Sequence, residues 1–274
     1  MKTKILAGNW KMNLKVEEVK AFFDVWNKSS LSNRTGNPNG KRSQDTGVIV
    51  FPQAHLLALC LEHGKNVRIG AQNCYSEDTG AFTGELSPES LMSLGLDVCL
   101  VGHSERRQYF GETDQFLNLK IKALHRNAMT AMYCVGESLE ERESGRTFEV
   151  LKEQLHEGLN EISDFSRLII AYEPVWAIGT GKQASAKQVD EVHSWIDKEL
   201  TEMLAFRTAK GGMNGQPLQN AQTRSSSSVP ILYGGSVKPE TAPELASLKN
   251  ISGFLVGGAS LKPTDFEKIG LAIL

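Results

Sequence analysis

The chain has 274 residues, 40% hydrophobic and 23% charged, which supplies enough apolar surface for a large core and excludes global disorder. A formal net charge of -2 lacks the concentrated basic face of a nucleic-acid binder and points to small-molecule partners. No apolar run approaches the roughly 20 residues that cross a bilayer, and MKTKILAGNW carries no secretory apolar region, so the expectation is a cytoplasmic protein without a membrane partner.

The first apolar run is ILAGNW from Ile5, and VEEVKAFFDVW from Val16 follows it with helical spacing. A polar stretch rich in Gly, Asn and Ser, 29–47, then precedes VIVF from Val48 and VRIGA from Val67. Ser87 before Pro88 and Glu89 signals a helix start, and VCLVG from Val98 is the fourth strand-like run. Helical spacing from Thr113 to Asn127 leads to TAMYCVG at Thr130, and EVLKEQLHEGLNEI from Glu149 leads to LIIAY at Leu168. Ser185 with Gln188 three residues on is a capping box, and a second polar stretch, 207–228, separates that helix from PILYGG at Pro230 and GFLVGG at Gly253.

Eight strands alternate with helices, so they must pair in parallel and be buried on both faces. The pattern fits an α/β fold, either a (β/α)8 barrel or an open doubly wound sheet. It favours the barrel as a single domain over 1–274, with loop insertions at 29–47 and 207–228. Both insertions follow a helix and precede a strand, which puts them on the face opposite the strand C-termini. Cys60, Cys74, Cys99 and Cys134 lack CxxC spacing and read as buried reduced thiols.

Parallel α/β folds bind ligands at the strand C-termini, so the residues just after each apolar run carry most weight. These are Asn9 and Lys11; Gln72 and Asn73; His103 and Glu105; Glu137; Glu173; Gly234, Gly235 and Ser236; and Gly257 and Gly258. Taken singly, Lys11 reads as a surface lysine, His103 as a satisfied core histidine and Glu173 as a solvated strand end. Taken together they supply a cation, an imidazole and a carboxylate at one mouth. The run SERR after His103 suggests a helix start there, and a helix N-terminus keeps an imidazole neutral. YGGS and LVGGAS suit phosphate, because glycine lets backbone N–H groups approach an anion closely. Gly179, Gly181 and Ala184 satisfy G-x-G-x-x-A, but six residues separate Gly179 from Tyr172, too far from the strand for a dinucleotide turn.

GNWKMN at Gly8, GHSERR at Gly102, CVGE at Cys134, AYEPVWAIGTGK at Ala171, YGGSV at Tyr233 and GFLVGGASLKP at Gly253 together resemble the triosephosphate isomerases. The resemblance covers the chain apart from the two polar insertions. It implies a glycolytic and gluconeogenic isomerase that interconverts dihydroxyacetone phosphate and glyceraldehyde 3-phosphate without metal or organic cofactor. It further implies Glu173 as base, and His103 as neutral electrophile helped by Asn9. Lys11 would supply charge to the substrate under orientation by Glu105, and the backbones of Gly179, Ser236, Gly257 and Gly258 would hold its phosphate.

By the same resemblance, a lid has hinges at Pro174, Val175 and Trp176 and from Lys182 to Ala184, around a tip of Ala177, Ile178, Gly179, Thr180 and Gly181. GAFTGE would be the loop by which one subunit of a homodimer reaches the other, with Thr83 at its tip. The departures are Asp197, where the family has Arg, and Asn250 and Ser252, where it has acidic residues; the expectation is a missing outer-shell ion pair that bears on stability. The alternative left by the residues is another phosphosugar barrel enzyme, an epimerase or an aldolase.

Overall fold

The structure, a computed structural model, describes residues 3–34, 47–178, 183–209 and 229–274. Eight strands, β1 (Ile5–Asn9), β2 (Val48–Phe51), β3 (Arg68–Ile69), β4 (Val98–Val101), β5 (Thr130–Val135), β6 (Leu168–Tyr172), β7 (Ile231–Tyr233) and β8 (Gly253–Val256), form one parallel sheet. The first strand pairs with both β2 and β8, which an open sheet in chain order does not allow. A single parallel bridge between Ala71 and Cys99 joins β3 to β4 and brings the remaining edges together. The barrel reading therefore holds, and the open doubly wound alternative does not.

Successive strand residues point to opposite faces. Ile5, Ala7, Ile49, Phe51, Val98, Leu100, Met132 and Cys134 fill the barrel interior, together with four residues from β6 to β8. Their neighbours, such as Leu6, Val48, Val50 and Ile170, join a second core under the outer helices. Both strand faces are thus apolar, which is why the runs read as continuous hydrophobic segments rather than alternating ones.

Local signals place the helices. The Ser87 side chain accepts from the Ser90 N–H at 3.1 Å, and Ser185 and Gln188 cap each other reciprocally at 2.9 and 3.3 Å. The helix expected from Glu149 to Ile162 runs instead over Thr147–Gly158. The polar stretch 29–47 is not wholly loop either, since Ser30–Arg34 is helical. That turn is tied down by Glu267, whose Oε1 accepts from the Ser30 N–H and hydroxyl at 2.7 Å each, and by buried Leu31. The other stretch begins later than expected, because the helix Ala186–Ala209 extends past Arg207. The remainder of both insertions, 35–46 and 210–228, lies outside the described residues.

All four cysteines are free and buried. Asn250 donates to Ser194 Oγ at 2.7 Å, an uncharged tie at the place where an ion pair was expected to be missing. Ser252 is buried there, and its hydroxyl has no hydrogen-bond partner among the described residues. Among those residues, no helix is long and apolar enough to cross a membrane.

Candidate active site

A cavity of about 490 Å³ opens at the C-terminal ends of the strands. Asn9, Lys11, His103, Glu173, Gly234, Gly235, Ser236, Gly257 and Gly258 all line it, together with Ile178, Leu255 and Lys238. Residues from β1, β4, β6, β7 and β8 meet here because parallel closure brings every strand end to one face.

Glu173 follows β6 directly and is only 2% exposed. Its Oε2 accepts from the Ser104 N–H at 3.0 Å, and its Oε1 lies 3.1 Å from His103 Nε2. The approach of β5 leaves no room for a side chain at Gly136, where a Cβ would sit 1.7 Å from the Glu173 carbonyl oxygen. Beneath the carboxylate, burial first and the Glu173 charge second push the Cys134 thiol well above its ordinary range, so it stays a neutral floor.

Gly102 has φ 73°, a left-handed turn that suits glycine, and it delivers His103 to the N-cap of the helix Ser104–Phe110. There His103 Nδ1 accepts from the Glu105 N–H at 3.2 Å. A nitrogen that accepts carries no proton, so the imidazole is neutral with its hydrogen on Nε2, facing the cavity.

Lys11 sits in the left-handed region at φ 51°, a conformation that costs a residue with a side chain about 1–2 kcal/mol. Three contacts enforce it. Asn9 Oδ1 accepts from the Lys11 N–H at 3.0 Å, Gln72 Nε2 donates to the Lys11 carbonyl at 2.9 Å, and Glu105 Oε1 pairs with Nζ at 2.5 Å. Gln72 thus acts on the lysine's backbone, a role its place after β3 did not disclose. Asn73 turns away to accept from Lys120, which also pairs with buried Glu112.

Gly257 and Gly258 open the short 3-10 turn Gly258–Leu261. A Cβ on Gly258 would meet nothing within 4 Å, and one on Gly257 only Lys11 Cε at 3.8 Å, so this backbone faces space open to an anion. Gly235 differs, since a Cβ there would collide with the Tyr233 hydroxyl at 2.2 Å.

Glu137 stands off the cavity, fully buried. It accepts from the Tyr172 hydroxyl at 3.1 Å, the Trp176 indole at 3.0 Å and Arg142 at 3.0 Å, and the Arg142 guanidinium lies over the Trp176 ring. Val175–Ala177 form a 3-10 turn on this anchor, and Ile178 reaches the cavity. Gly179, Thr180, Gly181 and Lys182 lie outside the described residues. The residues that sequence reasoning left out are Ser104, whose N–H holds the carboxylate, and Lys238 at the rim. Only the helix start at SERR hinted at the first.

The family model for triosephosphate isomerase matches residues 4–213 and 215–273. The triosephosphate isomerase of Leptospira interrogans serogroup Icterohaemorrhagiae serovar Lai (strain 56601) is 46% identical over 274 residues, covering 98% of this chain and all of that protein. Those of Chlorobium phaeobacteroides (strain BS1) and Ligilactobacillus salivarius (strain UCC118) are 43% and 41% identical, each over 98% of both chains. With a family match along nearly its whole length and relatives aligned end to end, the chain belongs to the triosephosphate isomerase family.

Proposed function

We propose that this chain, acting as one barrel domain, interconverts dihydroxyacetone phosphate and glyceraldehyde 3-phosphate in the cavity described above, with Glu173 as base and His103 as electrophile. The observation that carries the roles is the meeting of a buried carboxylate, a neutral imidazole and a lysine beside backbone open to phosphate. Glu173 takes a proton from the carbon next to the carbonyl, leaving an enediolate, and returns it to the neighbouring carbon. His103 Nε2–H donates to the carbonyl oxygen as charge develops and exchanges protons between the two enediolate oxygens, with Asn9 as a second donor. Glu173 must first release the Ser104 N–H and His103 to turn into the cavity.

Lys11 places positive charge between oxyanion and phosphate, and Glu105 holds it. An aldolase Schiff base would need a free amine, whereas the Lys11 nitrogen is ion-paired. Ser236, Gly257 and Gly258, joined by Gly179, hold the phosphate through their N–H groups. The lid closes from hinges at Pro174 to Trp176 and at Lys182 to Ala184, expelling water and strengthening each of these interactions. Purified protein assayed with glyceraldehyde 3-phosphate in the presence of a chelator isomerises it; no turnover, or turnover abolished by the chelator, rejects the reading.

A homodimer belongs to the same proposal. Beside Lys11 lies a second cavity of about 590 Å³ lined mostly by polar residues, Glu105 among them, and Met12 and Phe110, 86% and 68% exposed, add two apolar side chains that a second copy could cover. The loop carrying Thr83 projects nearby, pre-ordered by Phe82 packed on Tyr75 at 4.4 Å between ring centres. Thr83→Arg places an unpaired charge in that interface, and such a charge costs about 3–5 kcal/mol. The dimer dissociation constant, read by sedimentation, rises at least about a hundredfold. An unchanged constant removes Thr83 from the contact.

A further inference from the structure

We propose that Lys238 captures the substrate's phosphate, drawing it over the rim toward the glycine turns; this rests on the phosphate-binding reading of the cavity. Charge balance at the mouth supports this role. Among the described residues, the Lys and Glu residues that line the cavity are Lys11, Glu173 and Lys238. The charge of Lys11 is matched by Glu105 at 2.5 Å, and Glu173 sits buried on the cavity wall as a negative charge. An arriving phosphomonoester carries about -1.5 to -2 charges at neutral pH and is repelled by that carboxylate.

Lys238 is the cation left to offset the repulsion. It is exposed, its ammonium makes no salt bridge among the described residues, and it stands two positions after Ser236 on the phosphate side of the mouth. Its backbone is pinned, since the Lys238 N–H donates to Thr241 Oγ1 at 3.2 Å and its carbonyl accepts from the Ala242 N–H at 3.0 Å. A charge so placed acts on approach and capture through the field at the mouth, not on proton transfer, because the reacting carbons lie at the Glu173 and His103 end.

The test compares wild type, Lys238→Gln and Lys238→Arg at about 10 mM and about 1 M ionic strength, where the screening length falls from about 30 Å to about 3 Å. At low salt, Lys238→Gln lowers kcat/KM about three- to tenfold with kcat nearly unchanged, and Lys238→Arg restores it. At high salt the three proteins converge. Calorimetry with inorganic phosphate runs in parallel, and Lys238→Gln binds it more weakly at low salt. Equal kcat/KM and equal phosphate affinity at low salt, or a loss that persists at high salt, overturns the proposal. If wild type isomerises the substrate, only the Lys238 inference falls by that result; if wild type has no activity, the functional reading falls and the phosphate titration alone decides Lys238.

Discussion

Glu173→Gln lowers kcat by about two to four orders of magnitude, the range that a positioned general base contributes, in a protein that still folds. The amide matches the carboxylate in shape, and its oxygen can keep the bond from the Ser104 N–H. Its NH2 group then faces His103 Nε2–H, donor against donor. The imidazole cannot swap its proton to Nδ1 without losing the bond from the Glu105 N–H. One hydrogen bond is therefore lost, at about 1 kcal/mol, while removal of a buried charge works in the opposite direction. The melting temperature stays within about 4 °C of wild type. Glu173→Asp separates basicity from position, because it keeps the carboxylate but withdraws it by one methylene, and a misplacement of about 1 Å is enough to cost about a hundredfold. A Glu173→Gln enzyme retaining more than a tenth of wild-type kcat excludes Glu173 as the base.

Lys11→Met lowers kcat/KM by about three orders of magnitude, with kcat itself falling about a hundredfold or more, the typical loss for one preorganised charge stabiliser. Two effects add. The cation that faces the developing oxyanion is gone, and Glu105, now unpaired at the cavity edge, opposes the substrate's phosphate. The first effect persists at saturating substrate and appears in kcat; the second weakens binding and appears in KM. Folding changes little, because methionine must adopt the same left-handed backbone and the lost ion pair is partly exposed. A loss confined to KM and smaller than tenfold limits Lys11 to phosphate attraction.

Much of the molecule was legible in the chain itself. β-branched runs alternating with helical spacing imply parallel strands, and parallel strands demand apolar residues on both faces, as Ile5 and Leu6 illustrate on opposite sides of β1. Ser87 and Ser185 mark helix starts because their oxygens satisfy backbone donors only a few residues away, a contact fixed by sequence spacing. The residues after the strands were readable for the same reason, since strand polarity alone decides which end carries the ligand.

Contacts between distant segments were not legible. Closure rests on β1 meeting β8 and on the bridge from Ala71 to Cys99, pairings that no local spacing encodes. Ser30–Arg34 is helical because Glu267, far along the chain, supplies acceptors to its first turn. Lys11 is bent into the left-handed region by Asn9 and Gln72, and Glu173 is held by a backbone N–H of Ser104, a group every residue but proline possesses and no motif records. The elements, their polarity and the chemical groups at the mouth follow from side-chain chemistry and near-neighbour geometry, so the chain discloses them before it folds. Folding was needed to set the closure of the barrel, the tautomer of His103, the strain at Lys11 and the place of Lys238 on the cavity lining, because each depends on the distance between groups far apart in the chain.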